Sequence, residues 1–171
     1  GLTKANEISK YKGYARFESI QNNFSLLNPR FHDELANVCR LENISLLPYS
    51  PMAGGVLSGK YCGGFYPEGS RFATYLKESN KRVQAMAHRF VNERTLEATK
   101  KYLELSKEYE VSPVTLAISY SKHFDFVAST IVGARKIEQL DDSLKAFDFK
   151  ISNELLKKIE IIQKDILYPM G

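Results

Sequence analysis

The sequence predicts a parallel α/β fold with too few strands to close on itself. Three observations carry that expectation. Three short runs, Phe17–Gln21, Ile44–Tyr49 and Phe126–Val132, have the largely apolar character of strands covered on both faces. Stripes of apolar residues at helical spacing lie between and after them. Beyond this alternation there is no internal repeat and no low-complexity segment. Three parallel strands cannot close a barrel, and they leave two edges and one uncovered face. The chain is therefore either a small open sheet or part of a larger barrel.

The elements follow in order. Phe17–Gln21 is a short strand that runs out in Gln21-Asn22-Asn23. Phe31, Leu35, Val38 and Cys39 fall on one helical face. Ile44–Tyr49 is the next strand. From Ser50 to about Asn80 the chain is rich in Gly and polar residues. At roughly 30 residues this loop far exceeds the usual connection, so it is either functional or partly disordered. Ala98, Tyr102, Leu105 and Tyr109 mark a helix from about Asn92 to Glu110. Ser112-Pro113 is an N-cap with proline at the first helical position, opening a helix over Val114 to about Lys122. Phe126–Val132 is the third, β-branched strand. Ile137, Leu140, Leu144 and Phe147 mark another helix. Ser152 caps the last, whose stripe is Leu155, Ile159, Ile162 and Ile166.

Composition sets the broad class. A chain of 171 residues is long enough for one domain with a sizeable core. Apolar content of 43% and charged content of 26% are those of a soluble globular protein. No apolar run approaches the ~18 residues of a membrane span. The N-terminus, Gly1 to Glu7, lacks the apolar core of a signal peptide and does not begin with Met, so the chain is expected to start inside a longer product. The net charge of +4 is spread along amphipathic segments, which describes a solvated surface and not a nucleic-acid patch. Cys39 and Cys62 form no CxxC pair and have no His at metal-ligand spacing, so reduced thiols, a cytoplasmic location and no metal site are expected. Cys39 belongs to a helical stripe and Cys62 to a Gly-rich loop.

In β/α folds ligands gather at the C-terminal ends of strands. Gln21 offers a donor and an acceptor suited to a carboxamide, or serves local backbone. Tyr49 is placed to stack on a flat ring, or is a half-buried core aromatic. The backbone amides of Ser50 to Gly55 suit a phosphate, or form only a turn. Lys60 and Arg71 add positive charge to the same loop. Gly133 to Lys136 lead into a helix N-terminus, which favours an anion, and Arg135 can fork onto a phosphate monoester. Gln139, Asp142 and Ser143 lie one and two turns on. Asp142 would oppose a phosphate but accept from an adenine amine or a ribose hydroxyl. His32, His88 and His123 are far apart, Asp141-Asp142 reads as helix surface, and no nucleophile–base arrangement is suggested.

Three ordered motifs resemble the aldo-keto reductases: Gln21 to Asn28, Leu47 to Tyr61, and Ile131 to Ser143. They are most similar to the branch holding Tas-like reductases and potassium-channel β subunits, and Gly69-Ser70-Arg71-Phe72 and Leu167 to Met170 fit the Tas-like group. The resemblance implies a (β/α)₈ TIM barrel that binds NADP(H) in an extended pose. It maps residues 1–171 as a single partial domain, from the end of barrel strand 5 to the C-terminus. That is the C-terminal half, about three to four β/α units, incomplete as a closed barrel.

By that resemblance Gln21 binds the nicotinamide carboxamide and Tyr49 stacks on the nicotinamide. Ser50, Pro51, Met52 and Gly54 line the pyrophosphate, with Lys60 and Arg71 in the loop over it. Gly133 and Arg135 belong to the turn that meets the adenosine 2′-phosphate, with Gln139, Asp142 and Ser143 at the adenine end. Two positions depart from the family pattern: Thr3-Lys4 stands where the family has Ser-Asn, and Ser143 where it commonly has Asn. The family's catalytic Asp, Tyr, Lys and His lie on the first four strand ends, outside this chain, so no residue here is assigned as catalytic. The resemblance thus implies the NADPH-binding half of an oxidoreductase that reduces aldehydes or ketones by hydride transfer, inactive alone. Its partners would be a carbonyl substrate and the N-terminal half of the barrel, with no nucleic acid. The alternatives are a non-catalytic nicotinamide-nucleotide-binding regulatory module, or a self-associating half-barrel without ligand.

Overall fold

A computed structural model describes residues 1–170; Gly171, the last residue of the expected domain, lies outside the described residues. The chain is helix-rich. In order it forms α1 (Leu2–Lys12), β1 (Ser19–Asn23), a 3₁₀ turn (Arg30–His32), α2 (Leu35–Glu42), β2 (Ser45–Tyr49) and a 3₁₀ segment (Ala53–Ser58). Six helices follow: α3 (Arg71–Lys77), α4 (Lys81–Phe90), α5 (Glu93–Glu108), α6 (Pro113–Lys122), α7 (Glu138–Lys145) and α8 (Asn153–Asp165). The open sheet has two parallel strands, β1 and β2, in register from Ser19 opposite Ser45 to Asn23 opposite Tyr49.

β2 alternates as a pleated strand must: Leu46 and Pro48 are buried, Ser45 and Leu47 half-buried and Tyr49 exposed. The buried side meets an aromatic core. Phe24 stacks on Tyr120 and meets Phe31, Phe124 and Phe126 edge-on, with ring centroids 5.5 to 6.2 Å apart. Leu26, Leu27, Leu57, Leu116, Leu155 and Ile159 are fully buried around it. Each such side chain contributes about 1.5–3 kcal/mol by leaving water. Cys39 belongs to this core, and Cys62 is half-buried.

The caps read from the sequence at Ser112 and Ser152 are present, and α5 has a further one. Asn92 and Thr95 form a reciprocal capping box on α5. Ser112 caps α6 ahead of Pro113, and Ser152 caps α8.

Four expectations need correction. Phe126–Val132 is not a third strand. It runs beside β2, with Leu46 N–H donating to Phe126 O (2.7 Å) and Ala128 N–H to Leu46 O (3.0 Å). A regular parallel ladder would continue from residue 48 N–H to the Ala128 carbonyl, and Pro48 has no N–H. Contact resumes further along, where Ile131 N–H donates to Pro48 O (2.8 Å). Second, Leu2, Thr3 and Lys4 open a helix the sequence does not predict, α1, whose buried residues are the polar Asn6 and Ser9 and which therefore shows no apolar stripe. Third, Ser50 to Asn80 is not one long loop. It contains the 3₁₀ segment and α3, capped by Ser70, and is followed by α4, capped by Asn80. Fourth, the stripe of α7 does not face the core: Ile137, Leu144 and Phe147 are 76%, 66% and 82% exposed.

Among the described residues no helix is long and apolar enough to cross a membrane, and no group of His, Cys, Asp and Glu is arranged to hold a metal ion.

Candidate functional site

Three segments end side by side. β1 and β2 finish together at Asn23 and Tyr49, and the Ile131–Pro48 hydrogen bond lays the segment before Gly133 along the other side of β2. Partners across a sheet share a face. Gln21 is opposite Leu47, and Leu47 shares its face with Tyr49, so Gln21 and Tyr49 project to the same open side. Gln21 is exposed and Tyr49 is 41% exposed.

β2 leaves this surface through a tight turn. Ser50 (φ 60), Ala53 (φ 48), Gly54 (φ 66) and Gly55 (φ 96) all take left-handed backbone. Pro51 is buried and Met52 packs half-buried on the core. The turn satisfies its own donors: Ala53 N–H donates to Ser50 O (2.8 Å), Gly54 N–H to Ser50 Oγ (3.1 Å) and Gly55 N–H to Met52 O (2.9 Å). These three amides are therefore not the free cradle the sequence suggests, because so short a turn must bond its own backbone. The Ser50 hydroxyl keeps its proton to donate.

Lys60 folds back over the same turn. Its Nζ lies 2.7 Å from where a side chain on Gly55 would begin and 5.3 Å from the Tyr61 ring centre. Arg71 is exposed at the first position of α3. The Arg135 guanidinium donates to the Gly69 carbonyl, two residues before Arg71, which ties the loop after β2 to the turn before α7.

That second turn is also internally bonded. Gly133 is exposed with open space around it. Gln139 Oε1 accepts from Arg135 N–H (2.9 Å) and Lys136 N–H (3.3 Å), filling the position expected for an anion. Asp142 accepts from the Ser112 hydroxyl (2.7 Å) and Lys145 Nζ (3.0 Å), which hold its carboxyl below the usual range. Ser143 Oγ donates to the Gln139 carbonyl (3.1 Å). Thus Gln21, Tyr49 and Ser50 are brought together, Arg71 and Arg135 are linked through Gly69, and Gln139, Asp142 and Ser143 bond within α7, to the turn before it and to the start of α6.

The sequence names Ser112 as a helix cap and Gly69 and Phe72 as part of a family motif, but assigns none of them a place in the site. Ser70 ahead of Arg71-Phe72 was the available signal, since an N-cap serine marks a helix start. General acid–base groups are lacking here. His32 packs edge-on to Phe124 (4.2 Å between centroids), and burial lowers its pKa. A 250 Å³ cavity beside it, between Pro29, Tyr120 and Gln163, is lined by none of the expected site residues. The arrangement is an exposed aromatic and a carboxamide on one face, flanked by cationic loops. It is suited to a flat, amide-bearing ring with an anionic tail.

A sequence model of the aldo/keto reductase family matches residues 2–164. The chain is 31% identical over 169 residues to protein tas of Escherichia coli (strain K12), covering 99% of this chain and 46% of that protein. It is 30% identical over 143 residues to L-glyceraldehyde 3-phosphate reductase of Escherichia coli O157:H7, covering 82% and 40%. It is 29% identical over 139 residues to a putative voltage-gated potassium channel subunit beta of Schizosaccharomyces pombe, covering 80% and 39%. The chain spans less than half the length of each of these relatives.

Proposed function

Because the chain belongs to the aldo/keto reductase family, we propose that it is the NADP(H)-binding half of an oxidoreductase that reduces aldehydes or ketones. The observation that carries this reading is the shared open face of Gln21 and Tyr49, at the strand ends where the Arg135 turn also arrives. The nicotinamide group would supply the hydride. Tyr49 would support one face of its ring, and Gln21 would fix the ring's rotation through the carboxamide. Ser50, Pro51, Met52 and Gly54 would line the pyrophosphate. Lys60, Arg71 and Arg135 would neutralise the phosphates, Arg135 taking the 2′-phosphate that separates NADPH from NADH. Gln139 would have to release the Arg135 and Lys136 amides before it, Gly133, Asp142 and Ser143 met the adenosine.

In the same reading the chain is half of a (β/α)₈ barrel. The open face of β1 and β2 and the outward stripe of α7 are the surfaces that such a barrel covers. In this reading none of the described residues takes the part of proton donor to the carbonyl, and that group would belong to the rest of the barrel. Free Cys39 and Cys62 fit a reducing compartment such as the cytoplasm. A second reading, a nucleotide-binding regulatory module, draws on the relative whose name is that of a channel subunit. The parent reading frame separates the two, since an Asp, Tyr, Lys and His set on its other strand ends favours the enzyme.

Replacing Tyr49 and Gln21 tests the shared site. Tyr49→Ala and Gln21→Ala are each expected to weaken NADPH binding about 3- to 10-fold, the loss of one stacking or hydrogen-bonding partner. Unchanged affinity in both variants, with circular dichroism intact, overturns the placement.

A further inference from the structure

The turn after β2 rests on a side chain that the cofactor reading leaves without a role. Gly54 has φ +66, and a Cβ built on it would come 2.5 Å from Phe72 Cζ and 2.9 Å from Cε2. Phe72 is 1% exposed. Its ring is held by Tyr61 (5.5 Å between centroids), Tyr75 (5.8 Å) and Phe90 (5.2 Å), drawn from the loop, α3 and α4. The ring is therefore buried and braced by three others. The left-handed turn takes its path over it because position 54 has no side chain.

We propose that Phe72 is a positioning residue for the pyrophosphate: its clamped ring is the surface that sets the Ser50–Gly54 turn, although it touches no ligand itself. This rests on the assignment of that turn to the cofactor's pyrophosphate. The neighbouring positions sort by direction. Phe72 points into the aromatic cluster, while Arg71 before it is exposed to solvent. A helix start thus carries both the support of the turn and a cation beside it.

The test is a double-mutant cycle on the full chain with two ligands. Affinities for NADPH and for adenosine 2′-monophosphate, which lacks the pyrophosphate, are measured for the wild type, Phe72→Leu, Gly54→Ala and the double variant. Each single variant is expected to weaken NADPH about 10-fold, as a small misplacement of a positioning group does. Adenosine 2′-monophosphate should change by less than about 2-fold in all of them, since its phosphate meets Arg135, which bonds the Gly69 backbone and neither substituted side chain. The double variant should lose less than the sum of the two singles, because the Leu vacates space for the Ala methyl while the strain of an alanine at φ +66 remains. Additive losses, equal losses for both ligands, or NADPH binding by Phe72→Leu at the wild-type level would overturn the proposal. A wild type that binds neither ligand would instead overturn the cofactor reading and this inference with it. Phe72→Leu keeps an apolar side chain in the cluster, and its thermal midpoint should stay above the assay temperature.

Discussion

In the proposed reading, Arg135 is the residue on which cofactor choice turns. Its guanidinium is exposed and already placed on the loop carbonyl of Gly69. Arg135→Met is expected to weaken NADPH about 10-fold or more and to leave NADH nearly unchanged, because a charge-assisted bond contributes roughly 1.5–3 kcal/mol. Parallel titrations with the two nucleotides check this. Asp142 behaves differently. The hydroxyl of Ser112, then Lys145, depress its pKa below the ordinary carboxylate value. A depressed folded pKa means that the stabilisation is present above the unfolded value, about 3.9, and is lost as pH falls through the folded one. Asp142→Asn should therefore flatten the loss of stability below about pH 4, read as urea midpoints at neutral and acid pH. Ser112→Ala removes that bond and the cap on Val114 N–H together, and should cost about 1–2 kcal/mol. The sequence placed Tyr49 and Arg135 at strand ends because each follows an apolar run. It could not show that Asp142 is tied to Ser112, thirty positions earlier, or that Gln139 occupies the Arg135 and Lys136 amides. The Asp142 bond depends on how helices dock, which local pattern does not encode; the Gln139 bonds are local, three and four residues apart, and depend on which of several partners its side chain takes.

At the scale of elements, α7 is the most informative. Its apolar stripe was legible from Ile137, Leu140, Leu144 and Phe147, yet none of α7 is buried. Periodicity reports that a face needs covering, not what covers it. Leu144→Gln and Phe147→Gln are therefore expected to shift the stability of this chain by less than about 0.5 kcal/mol, as exposed substitutions do. The same changes should impair joining to the remainder of a barrel, measured by co-purification with the parent's other half. Elsewhere the elements failed to read for identifiable reasons. α1 buries Asn6 and Ser9, whose polarity hides the helix, and Asn6 Oδ1 accepts from Phe17 N–H to hold it against the strand entry. The third strand was over-read because β-branched residues promise a ladder that Pro48 cannot complete.

At the scale of the molecule, two parallel strands flanked by helices leave one sheet face open, and the relatives are more than twice as long as the region they share with this chain. A half-barrel that binds nucleotide at its strand ends accounts for both facts. The α/β class was legible from apolar runs and helical stripes, and the family from three motifs; the internally bonded turns at Ser50 and Arg135 were not. The central claim is that this chain binds NADP(H) at the ends of β1 and β2. Calorimetric titration with NADPH, with NADH as comparison, tests it most directly. Saturable binding at one site per chain, tighter for NADPH by about 10-fold through the 2′-phosphate, is the predicted result. No heat of binding up to millimolar NADPH, from a chain shown to be folded, would contradict it.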